Sequence, residues 1–303
     1  MRTRMLGDDG PEVSVVGLGT NNFGRRCDLE QTRAVLDAAL EAGVTLIDTA
    51  DIYGDGSSED YIGRVLEGRR DRVVLATKFG KPMSEGPDVP RGSPEYIRWA
   101  VEGSLRRLRT DVIDVYQMHD PDERTPIDET LGALDELVRA GKVRHVGSSN
   151  FNASQVEAAD RVARERGTVR FVAAQNRYSL LERAAEEELL PTCERLGIGM
   201  LPFFPLASGL LTGKYRRGEV ATEGRLAGRA IPAEQFDHVE ALTRFAEERG
   251  VSLLDVAVGG LAAMPAIVSV IAGATTPEQV RANVKAGGWI PSESDLDALR
   301  KLR

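Results

Sequence analysis

Four side chains that could move a proton follow three successive strand-like runs of the sequence. Asp48 ends the first run and Tyr53 follows it closely, while Lys78 and His119 come directly after the next two. A phenol titrates near pH ~10, so at neutral pH it gives up a proton only with a cation beside it. Lys78, at the end of the next run, could be that cation. These residue types predict acid–base chemistry.

The four side chains can meet only if the strands that carry them lie side by side and point the same way. Short apolar runs alternate with amphipathic segments, which predicts eight strands, each followed by helix. The predicted strands are residues 15–19, 46–48, 73–77, 113–118, 143–147, 171–175, 198–201 and 267–272. This alternation favours a closed (β/α)8 TIM barrel of the α/β class, with an open doubly wound sheet as the alternative. In such a barrel, the loops after the strands share one rim that carries the site.

Other segments complete the predicted architecture. Residues 3–6 and 12–14 flank Asp8-Asp9-Gly10-Pro11, which predicts a short N-terminal β-hairpin. Residues 202–232 form a loop after strand seven that is longer than a plain connection and is typical of a lid or binding loop. Ser58 is the predicted N-cap of the helix after strand two. We interpret residues 1–303 as one domain, because α/β barrels often use this length.

Composition and charge narrow the possible functions. Hydrophobic residues make up 42% and charged residues 28% of the chain, which is typical of a soluble globular protein. The net charge is −8 with both signs mixed, which argues against nucleic-acid binding. The first ten residues lack an apolar signal segment and no apolar run could cross a bilayer, which predicts a cytoplasmic protein without a membrane partner. Cys27 and Cys193 lack the spacing of a disulfide framework or a metal site, so no metal is predicted.

Several short motifs follow one another along nearly the whole chain. They are GLGT at 17–20, DTADIYG at 48–54, TK at 77–78, QMH at 117–119, GSSN at 147–150, PLASGLLTGK at 205–214 and GATTPEQ at 273–279. In this set and order, the chain resembles the aldo-keto reductase family. The resemblance implies a catalytic tetrad of Asp48, Tyr53, Lys78 and His119. Tyr53 would be the general acid that protonates the carbonyl oxygen of an aldehyde, ketone or sugar, or the base in the reverse direction.

The resemblance also implies a nicotinamide cofactor at the rim. Residues such as Ser149, Asn150 and Gln175 would hold the carboxamide, and Phe203 would stack on the ring. The start of the last helix, near Thr276, would offer N–H groups to the adenosine phosphate. The implied cofactor contacts are Gly19, Thr20, Asp48, Ser148, Ser149, Asn150, Gln175, Phe203, Pro205, Leu206, Ser208, Gly209, Lys214, Arg225, Gly273, Thr275, Gln279 and Asn283.

The choice between NADP(H) and NAD(H) depends on a departure from the family pattern. Many NADPH-using relatives place Lys or Arg between strand eight and the last helix, whereas residues 273–279 contain neither. Lys214, Arg225 or Arg281 could compensate. The resemblance favours NADP(H), and NAD(H) is possible.

Each candidate residue also has a purely structural interpretation. Asp48 could cap a turn with Lys78 as its surface partner, and Tyr53 or His119 could be packing residues. Residues 148–150 could cap the helix that follows them. Phe203 could fill the core.

Three other functions are compatible with parts of the sequence. A lyase or aldolase could use Lys78 as a Schiff-base amine, and a metal-dependent hydrolase could use Asp48, His119 and Asp120 or Asp122, although clustered His ligands are absent. A third is a cofactor-binding regulatory subunit, similar to potassium-channel β-subunits.

Substrate choice would lie in loops 20–27, 81–92 and 216–231, with Asn22, Phe23 and Met83 as candidate lining residues. The sequence specifies neither the substrate, nor the direction of reaction, nor an oligomeric state.

Overall fold

The predicted (β/α)8 barrel and N-terminal hairpin are confirmed by a computed structural model, which describes residues 1–218, 226–228 and 231–302. The strands are β1 Thr3–Met5, β2 Glu12–Ser14, β3 Val16–Gly19, β4 Leu46–Asp48, β5 Val74–Phe79, β6 Ile113–Met118, β7 Val143–Ser149, β8 Phe171–Arg177, β9 Gly199–Phe203 and β10 Val270–Gly273. Strands β3 to β10 are parallel and close in chain order, with β10 beside β3. The open-sheet alternative is therefore wrong.

Helices surround the barrel. They are α1 Leu29–Glu41, α2 Ser57–Val65, α3 Pro94–Leu108, α4 Ile127–Arg139, α5 Ala153–Arg166, α6 Leu189–Leu196, α7 Ala233–Glu247, α8 Leu253–Asp255, α9 Pro277–Ala286 and α10 Glu293–Lys301. Capping side chains set several of their starts, because they satisfy N–H groups that the first turn leaves free. Asp28 and Asn152 form capping boxes, and Ser93 and Thr276 cap the helices that begin with proline. The structure describes no helix that combines the length and apolar character needed to cross a membrane.

The hairpin closes the amino-terminal end of the barrel. Strands β1 and β2 pair antiparallel, and Leu6 and Val13 pack with inward-facing residues such as Leu46, Val115 and Leu201. All five side chains are fully buried, and burial of each contributes ~1.5–3 kcal/mol. This end of the barrel is filled, so the opposite end carries the open cavity.

Local structure departs from prediction in two places. Ser58 does not cap α2, because Gly56 occupies the N-cap position and Ser58 lies within the first turn. The Ser58 hydroxyl is instead 2.9 Å from the Thr49 hydroxyl and 3.1 Å from the Thr20 hydroxyl. The sequence pattern predicts a helix over residues 253–264, and residues 253–262 are helical, but the stretch Val256–Gly260 that follows α8 is π-helical. There the backbone approaches α9 so closely that a Cβ on Gly259 would lie 2.7 Å from the Ala286 carbonyl oxygen. Only glycine fits that contact.

Candidate active site

A fully buried ion pair lies at the carboxyl end of β4 and β5. The Lys78 ammonium donates to both oxygens of Asp48, at 2.9 and 2.8 Å, and to the Thr49 carbonyl at 2.7 Å. Lys78 has 0% exposed surface. It is therefore not a surface partner of Asp48. An ion pair without water needs this full set of partners, because each unpaired charge would carry a large desolvation cost.

The Tyr53 phenol is the next neighbour of this ammonium group. The Lys78 Nζ lies 5.1 Å from the centre of the Tyr53 ring, and the phenol is close enough to act on the pKa of the ammonium group. Burial lowers the pKa of Lys78, but the Asp48 carboxylate and the Tyr53 phenol outweigh it, so the pKa lies above its usual value. Lys78 thus stays protonated and presents a positive charge to the phenol. A charge in that position stabilises a phenolate.

His119 completes the group. Its ring lies edge-on to that of Tyr53, with centroids 5.9 Å apart. Burial, Lys78 and Lys81 lower the pKa of His119 from 6.5 to about 2, so the imidazole is neutral at physiological pH. Its Nδ1 is buried and has no hydrogen-bond partner within the described residues. A neutral imidazole beside a phenol can orient a carbonyl oxygen by donating a hydrogen bond.

Two residues assigned to the cofactor carboxamide also make hydrogen bonds within this group. Gln175 donates to Asp48 Oδ1 at 2.8 Å. The Asn150 amide donates to the His119 carbonyl and to Asp120 Oδ1, both at 2.9 Å, from a backbone with φ of 60°. The predicted cap is wrong for the segment 148–150, because Asn152 caps α5. Both amides nevertheless line the cavity described next.

Asp48, Tyr53 and His119 line one end of a cavity of about 710 Å³ at the carboxyl ends of the strands. Of the predicted site residues, the cavity is lined by Gly19, Thr20, Asp48, Tyr53, His119, Ser149, Asn150, Gln175, Phe203, Pro205, Leu206, Ser208, Gly209, Lys214, Gly273, Thr275, Gln279 and Asn283. Lys78 lies below the surface, behind Asp48 and Tyr53. A space of this volume, with polar groups at both ends, is typical of a ligand site.

Some predicted lining residues lie elsewhere. Ser148 is fully buried and does not reach the cavity, and Phe23 belongs to the hydrophobic core. Met83 is not among the lining residues. Arg225 lies outside the described residues. Phe203 does line the cavity, so its ring is available for stacking.

Other lining residues were not predicted individually. Arg26 and Lys81 lie in two of the loops assigned to substrate choice, and Asn22 was predicted there. Phe204, Leu254 and Ala282 carry no chemical signal in the sequence, and they reach the cavity only because α8, α9 and the segment after β9 surround it. Helical spacing could have indicated Ala282, because it lies three residues after Gln279 on α9 and therefore on the same face of the helix.

A second carboxyl lies three residues after Asp48. Asp51 is 1% exposed, and neither of its oxygens has a hydrogen-bond partner within the part of the chain that the structure describes. Burial raises the pKa of Asp51 well above its usual value, and the nearby Glu59 carboxylate raises it further, against the weaker influence of the Ile52 backbone N–H, Arg107 and Lys78. Asp51 belongs to the DTADIYG motif at 48–54, but the motif by itself predicts no role for it.

Among the described residues, no three His, Cys, Asp or Glu side chains are grouped closely enough to hold a metal ion.

The chain is similar to known proteins over nearly its whole length. Residues 15–303 match the model of the Aldo/keto reductase family. The chain is 40% identical to an uncharacterized oxidoreductase, YrpG, of Bacillus subtilis, over 100% of this chain and 95% of that protein. It is 34% identical to a probable voltage-gated potassium channel subunit beta of Oryza sativa, over 96% and 92%. It is 33% identical to the L-glyceraldehyde 3-phosphate reductase of Escherichia coli, over 94% and 87%.

These matches cover nearly the entire chain and include two proteins named for oxidoreductase activity. Members of the family use nicotinamide cofactors. The resemblance inferred from the motifs is confirmed: this chain belongs to the aldo/keto reductase family.

Proposed function

We propose that this protein is an NAD(P)H-dependent oxidoreductase that reduces the carbonyl group of an aldehyde, ketone or sugar, or oxidises the corresponding alcohol. The observation that carries the proposal is the buried contact of Lys78 with both Asp48 and Tyr53. A fixed positive charge beside a phenol at the end of a cavity suits proton transfer to a developing alkoxide. The proposed location is the cytoplasm.

The residues present suit a nicotinamide dinucleotide. The cavity extends from Tyr53 and His119 to Thr275 and Gln279 at the start of α9. Gln175 and Asn150 expose amides near the phenol, and Phe203 offers a ring for stacking. The dinucleotide, when bound, supplies the hydride. Ser208, Gly209 and Lys214, in the segment after β9, would cover its phosphates.

Each side chain of the tetrad then has one task. Tyr53 donates its hydroxyl proton to the substrate oxygen, and Lys78 stabilises the phenolate that remains. Asp48 holds the ammonium in place, and Gln175 in turn holds Asp48. His119, neutral throughout the physiological range, orients the carbonyl.

A Schiff-base role for Lys78 finds no support in the geometry. A nucleophilic amine must be neutral and accessible. Lys78 is fully buried, makes three hydrogen bonds and has a raised pKa. Borohydride in the presence of carbonyl substrates should therefore trap no adduct on Lys78.

The similarity to a probable potassium channel subunit beta favours a second candidate, a cofactor-binding regulatory subunit. A measurement of carbonyl turnover distinguishes the oxidoreductase from the regulatory subunit. A protein that binds the dinucleotide but reduces no member of a broad carbonyl panel would support the regulatory function. The panel should include a phosphorylated aldehyde, because one relative is named for reducing L-glyceraldehyde 3-phosphate.

The test begins with fluorescence titrations of NADPH and NADH, followed by dinucleotide oxidation with aldehydes, ketones and sugars. Tyr53→Phe should lower turnover by about 10² or more while leaving the dinucleotide dissociation constant unchanged, because only the proton donor is removed. Tyr61→Phe is a matched control, since Tyr61 lies on α2, outside the cavity lining. Unchanged turnover in Tyr53→Phe would exclude Tyr53 as the proton donor.

A further inference from the structure

The wall formed by the end of β10 and the start of α9 contains no cation of its own. Residues 273–280 include neither Lys nor Arg. Arg281 pairs with Glu278 at 3.7 Å and does not line the cavity. The Glu278 carboxylate also bonds its own backbone N–H and the Thr276 hydroxyl, so this helix end already holds a negative charge. A phosphate group bound here needs a cation from another element.

The loop between β3 and α1 lies against this wall. The Asn22 amide contacts the Ala274 carbonyl at 3.5 Å, and the Cys27 thiol contacts the Thr275 carbonyl at 3.9 Å. Arg26 lies between these two anchors in the sequence, is exposed, and lines the same cavity as Thr275. It forms no ion pair within residues 1–218, 226–228 and 231–302. Its guanidinium group is therefore available to an anion in the cavity.

The other cations that line the described part of the cavity are differently placed. Lys81 is paired with Asp120, close to His119, at the end where the carbonyl would react. Lys214 lies over the Tyr215 ring, 4.9 Å from its centre, in the segment after β9. Arg26 is the cation whose loop contacts the β10–α9 connection.

A buried polar side chain on α9 also points to a ligand at this wall. Asn283 lines the cavity and is 6% exposed, so its amide can reach a polar ligand bound there. A hydrogen bond to such an amide would add to the affinity of the ligand.

We propose that Arg26 binds a phosphate group of the nicotinamide dinucleotide and supplies the cation that the β10–α9 connection lacks. The proposal rests on the proposed function. A guanidinium group suits this role, because its planar fork donates two parallel hydrogen bonds to a phosphate. The phosphate is either the 2′-phosphate, present only in NADP(H), or the pyrophosphate, present in both dinucleotides.

The experiment compares dissociation constants of NADPH and NADH for the wild type, Arg26→Gln and Arg25→Gln. Arg25 is the matched control, because it is the adjacent exposed arginine and does not line the cavity. Arg26→Gln should weaken binding by about tenfold or more, as expected for loss of charge-assisted hydrogen bonds. Arg25→Gln should bind like the wild type. Arg26→Lys should recover part of the affinity.

Each outcome has a distinct meaning. Weaker binding of NADPH alone places Arg26 at the 2′-phosphate, and an equal loss for NADPH and NADH places it at the pyrophosphate. Wild-type affinities in Arg26→Gln, or an equal loss in Arg25→Gln, would overturn the proposal while leaving the proposed function intact. A wild-type protein that binds neither dinucleotide would overturn both.

Discussion

Asp48 and Asp51 are three residues apart and almost equally buried, yet their surroundings differ completely. Asp48 accepts hydrogen bonds from Lys78 and Gln175, whereas neither oxygen of Asp51 has a hydrogen-bond partner within the described residues. The charged neighbours of Asp51 are Glu59 on α2 and Arg107 on α3, and Lys78 has a smaller effect on the pKa of Asp51. Burial alone therefore does not decide the state of a carboxyl group. Its partners decide whether it serves as an anion or as a neutral acid.

The largest effect on turnover and stability is expected from removing Lys78, the cation that pairs with Asp48. Lys78→Met should lower turnover by about 10² or more and the free energy of unfolding by ~3–5 kcal/mol, because Asp48 would be left buried and unpaired. Urea denaturation and steady-state kinetics measure the two losses. Lys81→Met, at a partly exposed ion pair, should cost only ~0–1 kcal/mol. Full stability and activity in Lys78→Met would contradict the role of the pair.

The difference between Asp48 and Asp51 can be tested by replacing each aspartate with asparagine. Asp48→Asn should lower turnover by about tenfold or more, because the neutral amide no longer holds the Lys78 ammonium in place. Asp51→Asn should leave turnover close to the wild-type value, since Asp51 does not line the cavity. Equal losses at the two positions would show that the two carboxyls do not differ in function.

The raised pKa of Asp51 predicts a pH effect of opposite sign to that of an ordinary carboxylate. The folded protein holds this proton more tightly than the unfolded chain, whose pKa is near 3.8. Stability from this group is present below that pKa and is lost as pH rises toward the raised value. Asp51→Asn should therefore gain stability relative to the wild type as pH rises from ~4 to ~7. Thermal melts across that range would measure the difference, and a constant difference would argue against a protonated Asp51.

The smallest expected effect concerns His119, which should not titrate between pH 5 and 8 because the pKa of its imidazole is lowered to about 2. The unfolded chain binds this proton near pH 6.5, so stability from His119 is present above that value and is lost as pH falls. NMR of the imidazole, assigned with His119→Gln, would follow its protonation directly. A transition of His119 near pH 6.5 would show that water reaches the imidazole more freely than its burial indicates.

The alternation of short apolar runs and amphipathic segments was sufficient to predict the barrel. Burial on both faces leaves a local signature in each strand, and eight repeats of it leave few other architectures. Asp48, Tyr53, Lys78 and His119 could be placed together because parallel strands bring their carboxyl ends to one rim. The helix 253–264 was less predictable, since its π-helical stretch depends on the contact of Gly259 with α9.

The sequence by itself determined the order of the strands, the residues at their ends and, through the motifs, the family. Only the tertiary structure decided which of two buried carboxyls has side-chain partners, that Gln175 and Asn150 bond the tetrad, and that Arg26 lines the same cavity as the start of α9. The reason is physical: periodicity and capping act between residues close in the sequence. The partners of a buried polar group come from elements distant in the chain, whose contacts exist only once the barrel has closed.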